Sequence, residues 1–441
     1  MKGRTQRILF GSGALVLSTF ITFATGFILA GFLARYFTPE EFGLWGILIS
    51  LNGIFINGFD WGFGNALRNK IARLNAQANH GEGRVYFLSI FMWFVVSAVI
   101  LSAVFWGLKP FVPWDVLLKS KNPDLVGIGS SLCIIGGMFF AFNIAFNLYS
   151  SGFFGYQESH WNALFNSISK LSILAVTVLF VFLGKSFFLV NIATFSAILA
   201  SSMLGFASFL MIRRWSLVVI GIRKSLDIVK ELWRKSAQFA LLQIFSILLL
   251  NADLLVVSKA SGLTAAGDYF IVKRLYLVVS ALHFALLLPI WSAYTESIEG
   301  MDYAWAKKML TTTSFYTFAL FAAGIAGMML LGPYIAHIWT GKEITDLRLF
   351  FWMGVWSLFY GWSNCFSIFL NAIGRLKRQA TLVGLGAAVF FPLGVLLGER
   401  WGPVGICWAL VLVSIPVAIS NPFESYRIMK GYVHGGIMEE G

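Results

Sequence analysis

The feature that most constrains this chain is the recurrence of apolar runs, each close to the roughly 20 residues that cross a bilayer as a helix. They lie at 8–33, 42–63, 86–108, 126–153, 163–183, 187–211, 237–258, 269–292, 309–332, 349–371, 380–398 and 403–426. Hydrocarbon offers no partner for a backbone amide, so runs of this kind satisfy their own hydrogen bonds by folding as helices. Composition agrees: 58% of residues are hydrophobic, 12% are charged and the mean hydropathy is +0.78, against about a quarter charged in a soluble domain. The sequence therefore predicts an all-α polytopic membrane protein of twelve transmembrane helices, with no sizeable soluble domain.

The formal charge of +13 does not point to nucleic acid, because the basic residues fall in short gaps between spans and not on one folded face. Sorted by the twelve-span arrangement, 21 Lys and Arg lie on one side and 9 on the other. The positive-inside rule then places both termini in the cytoplasm and requires an even number of spans. The first run is too long for a signal-peptide core and lacks a small-residue cleavage site, so it reads as a retained span flanked by Lys2, Arg4 and Arg7. Cys133, Cys365 and Cys407 lie inside spans with no Cys-x-x-Cys or Cys/His cluster among them, so neither a disulfide nor a metal site is expected.

The longest hydrophilic stretch, near 213–236, carries seven basic residues and divides the chain into an N-terminal six-helix lobe (1–212), a linker (213–236) and a C-terminal six-helix lobe (237–441). Leu226, Val229 and Trp233 interleaved with Arg223, Lys230 and Arg234 predict an amphipathic cytoplasmic helix on the membrane surface. Two short echoes support an internal repeat. Thr38–Gly43 (TPEEFG) pairs with Thr264–Tyr269 (TAAGDY), and Gly152–Gln157 (GFFGYQ) pairs with Asn371–Leu376 (NAIGRL). Six spans per half keep the halves in one orientation, an arrangement that places a central cavity between them.

Charge inside a span costs roughly 2.5–3.5 kcal/mol at the helix centre, so each such residue needs a reason. Asp60, Lys170, Asp253, Lys273 and Arg274 are in or beside spans, with His283 further along the eighth. One reading is a hydrated cavity whose cations bind an anionic headgroup and whose acids pair with them or carry a coupling ion, H+ or Na+. In the other, Asp253 pairs structurally with Lys273 or Arg274 and holds two helices in register. Trp45, Trp61, Trp114, Trp161, Trp215 and Trp401 at span ends read as interface anchors, and Gly394-Val-Leu-Leu-Gly398 as a helix contact. Walker A, Gly-x-Ser-x-Gly and His-Glu-x-x-His motifs are missing. No loop is long enough to house a catalytic domain, which argues against an enzyme.

The segments Phe32-Leu-Ala-Arg35-Tyr-Phe-Thr-Pro-Glu-Glu-Phe-Gly-Leu-Trp45 and Asp60-Trp-Gly-Phe-Gly-Asn-Ala-Leu-Arg68 resemble those of polysaccharide-biosynthesis flippases of the Wzx type. So do Asn251-Ala-Asp253, Gly267-Asp-Tyr-Phe-Ile-Val-Lys-Arg-Leu275 and Leu370-Asn-Ala-Ile-Gly-Arg375. These flippases belong to the multidrug/oligosaccharidyl-lipid/polysaccharide exporter (MOP) superfamily. The resemblance implies a MATE-like two-lobed fold that moves an undecaprenyl-diphosphate-linked oligosaccharide, an O-antigen or capsule repeat unit, between leaflets of the bacterial inner membrane by alternating access. It implies polysaccharide polymerase and chain-length proteins as partners, besides membrane lipid and the oligosaccharide itself. Arg35, Arg68, Lys273 and Arg274, with Lys170 as a further candidate, are the cations expected to meet the diphosphate. Asp60 and Asp253 are the coupling or structural acids. The alternative within the superfamily is a cation-coupled multidrug exporter.

Overall fold

The computed structural model describes residues 2–58, 60–77, 79–120, 122–218, 220–233, 251–299, 301–375 and 377–433. Among them there are helices and turns and no strand. The first compact unit spans 1–252 and the second 253–441.

In the first unit the spans are α1 (Lys2–Tyr36), α2 (Pro39–Gly58), α4 (His80–Leu108), α6 (Pro123–Phe146), α8 (Ser159–Phe182) and α9 (Phe187–Ile212). Shorter helices join them: α3 (Phe63–Ala76), α5 (Trp114–Leu118), α7 (Tyr149–Gly155) and α10 (222–233). The second unit contains α11 (Asp253–Ser261), α12 (Leu263–Glu299), α13 (Tyr303–Thr340), α14 (Leu347–Ala372) and α15 (Lys377–Val433). Gly402, at φ 63° and ψ −149°, breaks α15 into the two spans expected at 380–398 and 403–426. Most of the expected seventh span, 237–258, lies outside the described residues; its end forms α11. Among the described residues seven stretches are by themselves long and apolar enough to cross a membrane, and one of them, Lys377–Tyr432, contains that break.

Capping fixes where several helices start. Thr38 Oγ1 accepts the Glu41 N–H at 3.3 Å while Glu41 Oε2 accepts the Thr38 N–H at 2.9 Å, a reciprocal capping box with Pro39 at the first helical position. Asn79, Asn122, Asp302 and Asp346 cap α4, α6, α13 and α14 through their side-chain oxygens.

The two units share one pairing scheme. In the first, α1 packs on α8, α2 on α6, α4 on α6, and α6 on α9. In the second, α11 packs on the first part of α15, α12 on α14, α13 on α14, and α14 on α15. Numbered by span, both lobes join first to fifth, second to fourth, third to fourth and fourth to sixth. The Gly394/Gly398 motif is the seat of the first of these contacts in the second unit. A Cβ on Gly398 would stand 2.8 Å from Ala260 Cβ, and one on Gly394 would stand 3.0 Å from Val256, so small residues let the helices close.

The second sequence echo holds with a shift of register. Glu158 N–H bonds Phe153 O and Gln157 N–H bonds Phe154 O, while Arg375 N–H bonds Leu370 O and Gly374 N–H bonds Asn371 O. Both are Schellman turns. The left-handed residue is Gln157 (φ 60°) in one and Gly374 (φ 75°) in the other, so Gly374 corresponds to Gln157 and not to Gly155.

Helix α10 forms within the expected linker. Its buried residues Ile228, Val229 and Leu232 join a cluster with Phe63, Leu67, Ile71, Phe87, Phe153 and Phe209, while Leu226 and Trp233 are exposed. One expectation is corrected. Trp45 is buried at 3% exposure against Phe42, so it is a core residue and not an anchor; Trp61 and Trp401 are exposed.

Candidate functional site

The intramembrane charge of the second unit is built on α11, α12 and α14. Asn251, Ala252 and Asp253 form a bend before α11, which places Asp253 in the helix's first turn. Its carboxylate is fully buried. Oδ1 accepts the Leu254 N–H at 3.0 Å; Oδ2 accepts Lys273 Nζ at 2.6 Å and Tyr269 Oη at 2.8 Å. Tyr269 and Lys273 stand one turn apart on α12, so they present one face to Asp253. The Lys273 ammonium also lies 5.9 Å from the Trp356 ring of α14. Three hydrogen bonds and a formal opposite charge satisfy a carboxylate that would otherwise be costly to bury.

Arg274, the next residue, points elsewhere. Its guanidinium lies 5.3 Å from the Phe270 ring, and its Nε is buried without a hydrogen-bond partner. Of the two partners the sequence left open for Asp253, the structure selects Lys273 and leaves Arg274 as a half-buried cation with no ion pair among the described residues. Further along α12, His283 Nε2 meets Thr317 Oγ1 of α13 at 2.8 Å, both buried.

The first unit distributes its expected residues differently. Asp60 sits in the bend between α2 and α3, where Trp61 (φ 49°) and Gly62 (φ 73°) turn the chain, and its Oδ1 accepts the Gly62 N–H at 3.0 Å. A Cβ on Gly64 would stand 2.9 Å from Asp60 Oδ2 and 3.0 Å from Ser151 Oγ of α7, so the glycine lets the acid lie against that helix. Arg68, on α3, stacks 4.6 Å from the Phe154 ring at the end of α7. Arg35 is exposed at the C-terminal end of α1, and Lys170 is half-buried midway along α8. Thus the structure brings Asp253 and Lys273 together, sets Arg274 beside them, and places Asp60 and Arg68 along α7. Arg35 and Lys170 belong to other elements.

Sequence reasoning missed Tyr269 and Trp356. The first had a signal, since it lies four residues before Lys273 and next to an acidic residue in a span. The second had none, because Trp356 comes from a helix far away in sequence. Among the described residues no group of three or more His, Cys, Asp or Glu side chains is arranged to hold a metal ion.

Long apolar helices in two units with a shared pairing scheme, and charges neutralised inside one of them, define a multi-pass membrane transporter fold. The chain is similar over 98% of its length to all of an inward-facing multidrug resistance MATE family transporter of the MOP superfamily, with TM-score 0.74 and 14% identity. It is likewise similar to the lipid II flippase MurJ in an inward closed conformation, with TM-score 0.71 and 17% identity over 95% of this chain and 90% of that one. Residues 8–290 match the polysaccharide biosynthesis protein family, and the chain belongs to it. Its relatives include a protein described as an O-antigen transporter of Salmonella typhi, 20% identical over 93% of each chain. Another is described as an O-antigen export protein of Yersinia pseudotuberculosis, 22% identical over 93% of each.

Proposed function

We infer that this protein is a flippase, not an enzyme, that carries a lipid-linked oligosaccharide of the O-antigen or capsule type across the bacterial inner (plasma) membrane by alternating access. The lipid is a polyprenyl diphosphate, undecaprenyl by the resemblance of its motifs. Both termini are cytoplasmic in this reading, and the substrate moves from the cytoplasmic to the periplasmic leaflet. Polysaccharide polymerase and chain-length proteins would receive the product.

The observation that carries the reading is Arg274. With Lys273 held by Asp253, Arg274 is a cation within a membrane span whose counter-ion is not supplied by the described residues. A diphosphate cannot cross hydrocarbon unpaired, and a guanidinium is the side chain best shaped to meet phosphate oxygens. A carrier of cationic drugs would call for the opposite charge at this position, and Asp253, the acid beside Arg274, is already paired with Lys273. The family and the described roles of its O-antigen relatives support the same substrate class. If transport is coupled to H+ or Na+, Asp60 is the acid to examine, since Asp253 holds a resident cation.

The test is the leaflet distribution of lipid-linked oligosaccharide in cells depleted of the protein and complemented with wild type or Arg274→Ala. Build-up on the cytoplasmic side with the variant, at normal protein levels, supports the reading. Periplasmic delivery at the wild-type rate in depleted cells that have no other flippase would overturn it.

A further inference from the structure

The turn leaving α14 and both ends of α15 line an open surface cavity of about 330 Å3, formed by Gly374, Arg375, Lys377, Arg378 and Glu424. This is the small end of the range for ligand cavities. Arg375, Lys377 and Arg378 are exposed, and among the described residues their side chains form no ion pair or hydrogen bond. Glu424, from the second part of α15, is buried at 8% exposure and is likewise without an ion pair there. The cavity is thus lined by one carboxylate and three cations, none of them in an ion pair among the described residues. Leading away from it along α15 are exposed apolar pairs, Leu385 with Val389 and Ile419 with Phe423, the surface that faces acyl chains in a membrane protein.

A purely anionic ligand would be drawn to the three cations but would meet the Glu424 carboxylate. A purely cationic one would face the reverse. A ligand that carries both charges a few bonds apart satisfies both walls, and an apolar tail on that ligand matches the adjoining surface. We propose that this cavity binds the headgroup of a phosphatidylethanolamine molecule from the surrounding leaflet. Its phosphate rests among Arg375, Lys377 and Arg378, its ammonium on Glu424, and its acyl chains along the apolar rows of α15. The ammonium compensates a buried carboxylate that is costly to leave unpaired, and the phosphate takes charge-assisted hydrogen bonds. This site is independent of the substrate reading, since it uses none of the residues assigned to the diphosphate.

The test is native mass spectrometry of the full-length protein in detergent, titrated separately with phosphatidylethanolamine, phosphatidylglycerol and phosphatidylcholine. Wild type is expected to retain phosphatidylethanolamine over both others. At about fivefold per basic residue, the Arg375→Ala/Lys377→Ala/Arg378→Ala variant should bind it on the order of 100-fold more weakly. Glu424→Gln should abolish the preference over phosphatidylglycerol, bringing the ratio of the two to about one. The headgroup comparison on wild type stands even if that variant folds poorly. Retention of phosphatidylglycerol by wild type as strongly as phosphatidylethanolamine would reduce the site to a basic patch and overturn the proposal, as would undiminished binding by the triple variant.

Discussion

The two lobes pair their spans alike but keep their charges in different places. At the end of the first lobe where α3 meets α10, three of the cations are answered by the chain itself. Lys70 Nζ lies 3.0 Å from Glu231 Oε1, Tyr86 donates to the same carboxylate, Arg213 pairs with Glu158, and Arg84 donates to Ser216 at 2.6 Å. In the second lobe the pair lies inside the helices, Asp253 with Lys273, while Arg375, Lys377 and Arg378 stay open at the end. What the repeat conserves is the contact between helices. The connecting segments have diverged: the first lobe inserts α3 between its second and third spans, whereas α12 in the second runs unbroken from Leu263 to Glu299.

The largest effect should come from the internal pair. Asp253→Asn leaves the Lys273 ammonium buried without its counter-charge, and the loss is expected to be ~3–5 kcal/mol, read as a fall in thermal unfolding temperature in detergent. Adding Lys273→Met removes the stranded charge at similar volume and should recover most of the loss. In the first lobe, Glu231→Gln weakens a half-exposed pair and should cost no more than ~1 kcal/mol. Equal losses from the two single variants would break the contrast.

A second test compares the same helix pair in each lobe. A Cβ on Gly361 of α14 would stand 2.1 Å from Phe321 of α13, whereas one on Gly137 of α6 would stand 3.2 Å from Phe105 of α4. Gly361→Ala forces the Phe321 ring aside and should cost ~1–3 kcal/mol; Gly137→Ala should cost less than half as much. Chemical denaturation of both variants in the same detergent would measure the ratio, and a larger loss at Gly137 would show that the lobes are not packed as described.

How much of this was legible in the sequence follows from which physical signals are local. Apolar length marked the spans, because a bilayer imposes its thickness on each one separately. It underestimated α12 and α13, which extend to Glu299 and Thr340 with polar turns that hydropathy discounts. Helix α3 falls in a gap between two expected spans, although Phe63, Leu67, Ile71 and Leu74 recur at helical spacing and all are buried; the basic residues between them lower its hydropathy below that of a span. Asp253 stands out by its cost of burial and by the Asn251-Ala-Asp253 segment of the resemblance. Its partner was not fixed, because neighbours on a helix diverge by about 100° and nothing local says whether residue 273 or 274 faces α11. The open cations of the second lobe were read as a topology signal, which is all that one-dimensional charge can report.

The smallest effect separates two equivalent helix starts. Helix α6 is capped by Asn122, whose Oδ1 accepts the Asp124 N–H at 3.0 Å; α14 is capped by Asp346, whose Oδ1 accepts the Arg348 N–H at 3.0 Å. Replacing either cap by Ala should cost ~1 kcal/mol. Only the second cap can titrate. The Arg348 guanidinium, bonded to Asp346 at 2.9 and 3.1 Å, holds that carboxyl below its ordinary value. A carboxyl whose folded value is depressed contributes stability that is whole above the unfolded value and is lost as pH falls through the folded one. The penalty of Asp346→Ala, measured by thermal unfolding, should therefore be full near neutral pH and shrink in acid, whereas that of Asn122→Ala should stay constant. A penalty at Asp346 that does not change with pH would mean that its charge adds nothing to the cap and that the two helix starts are equivalent after all.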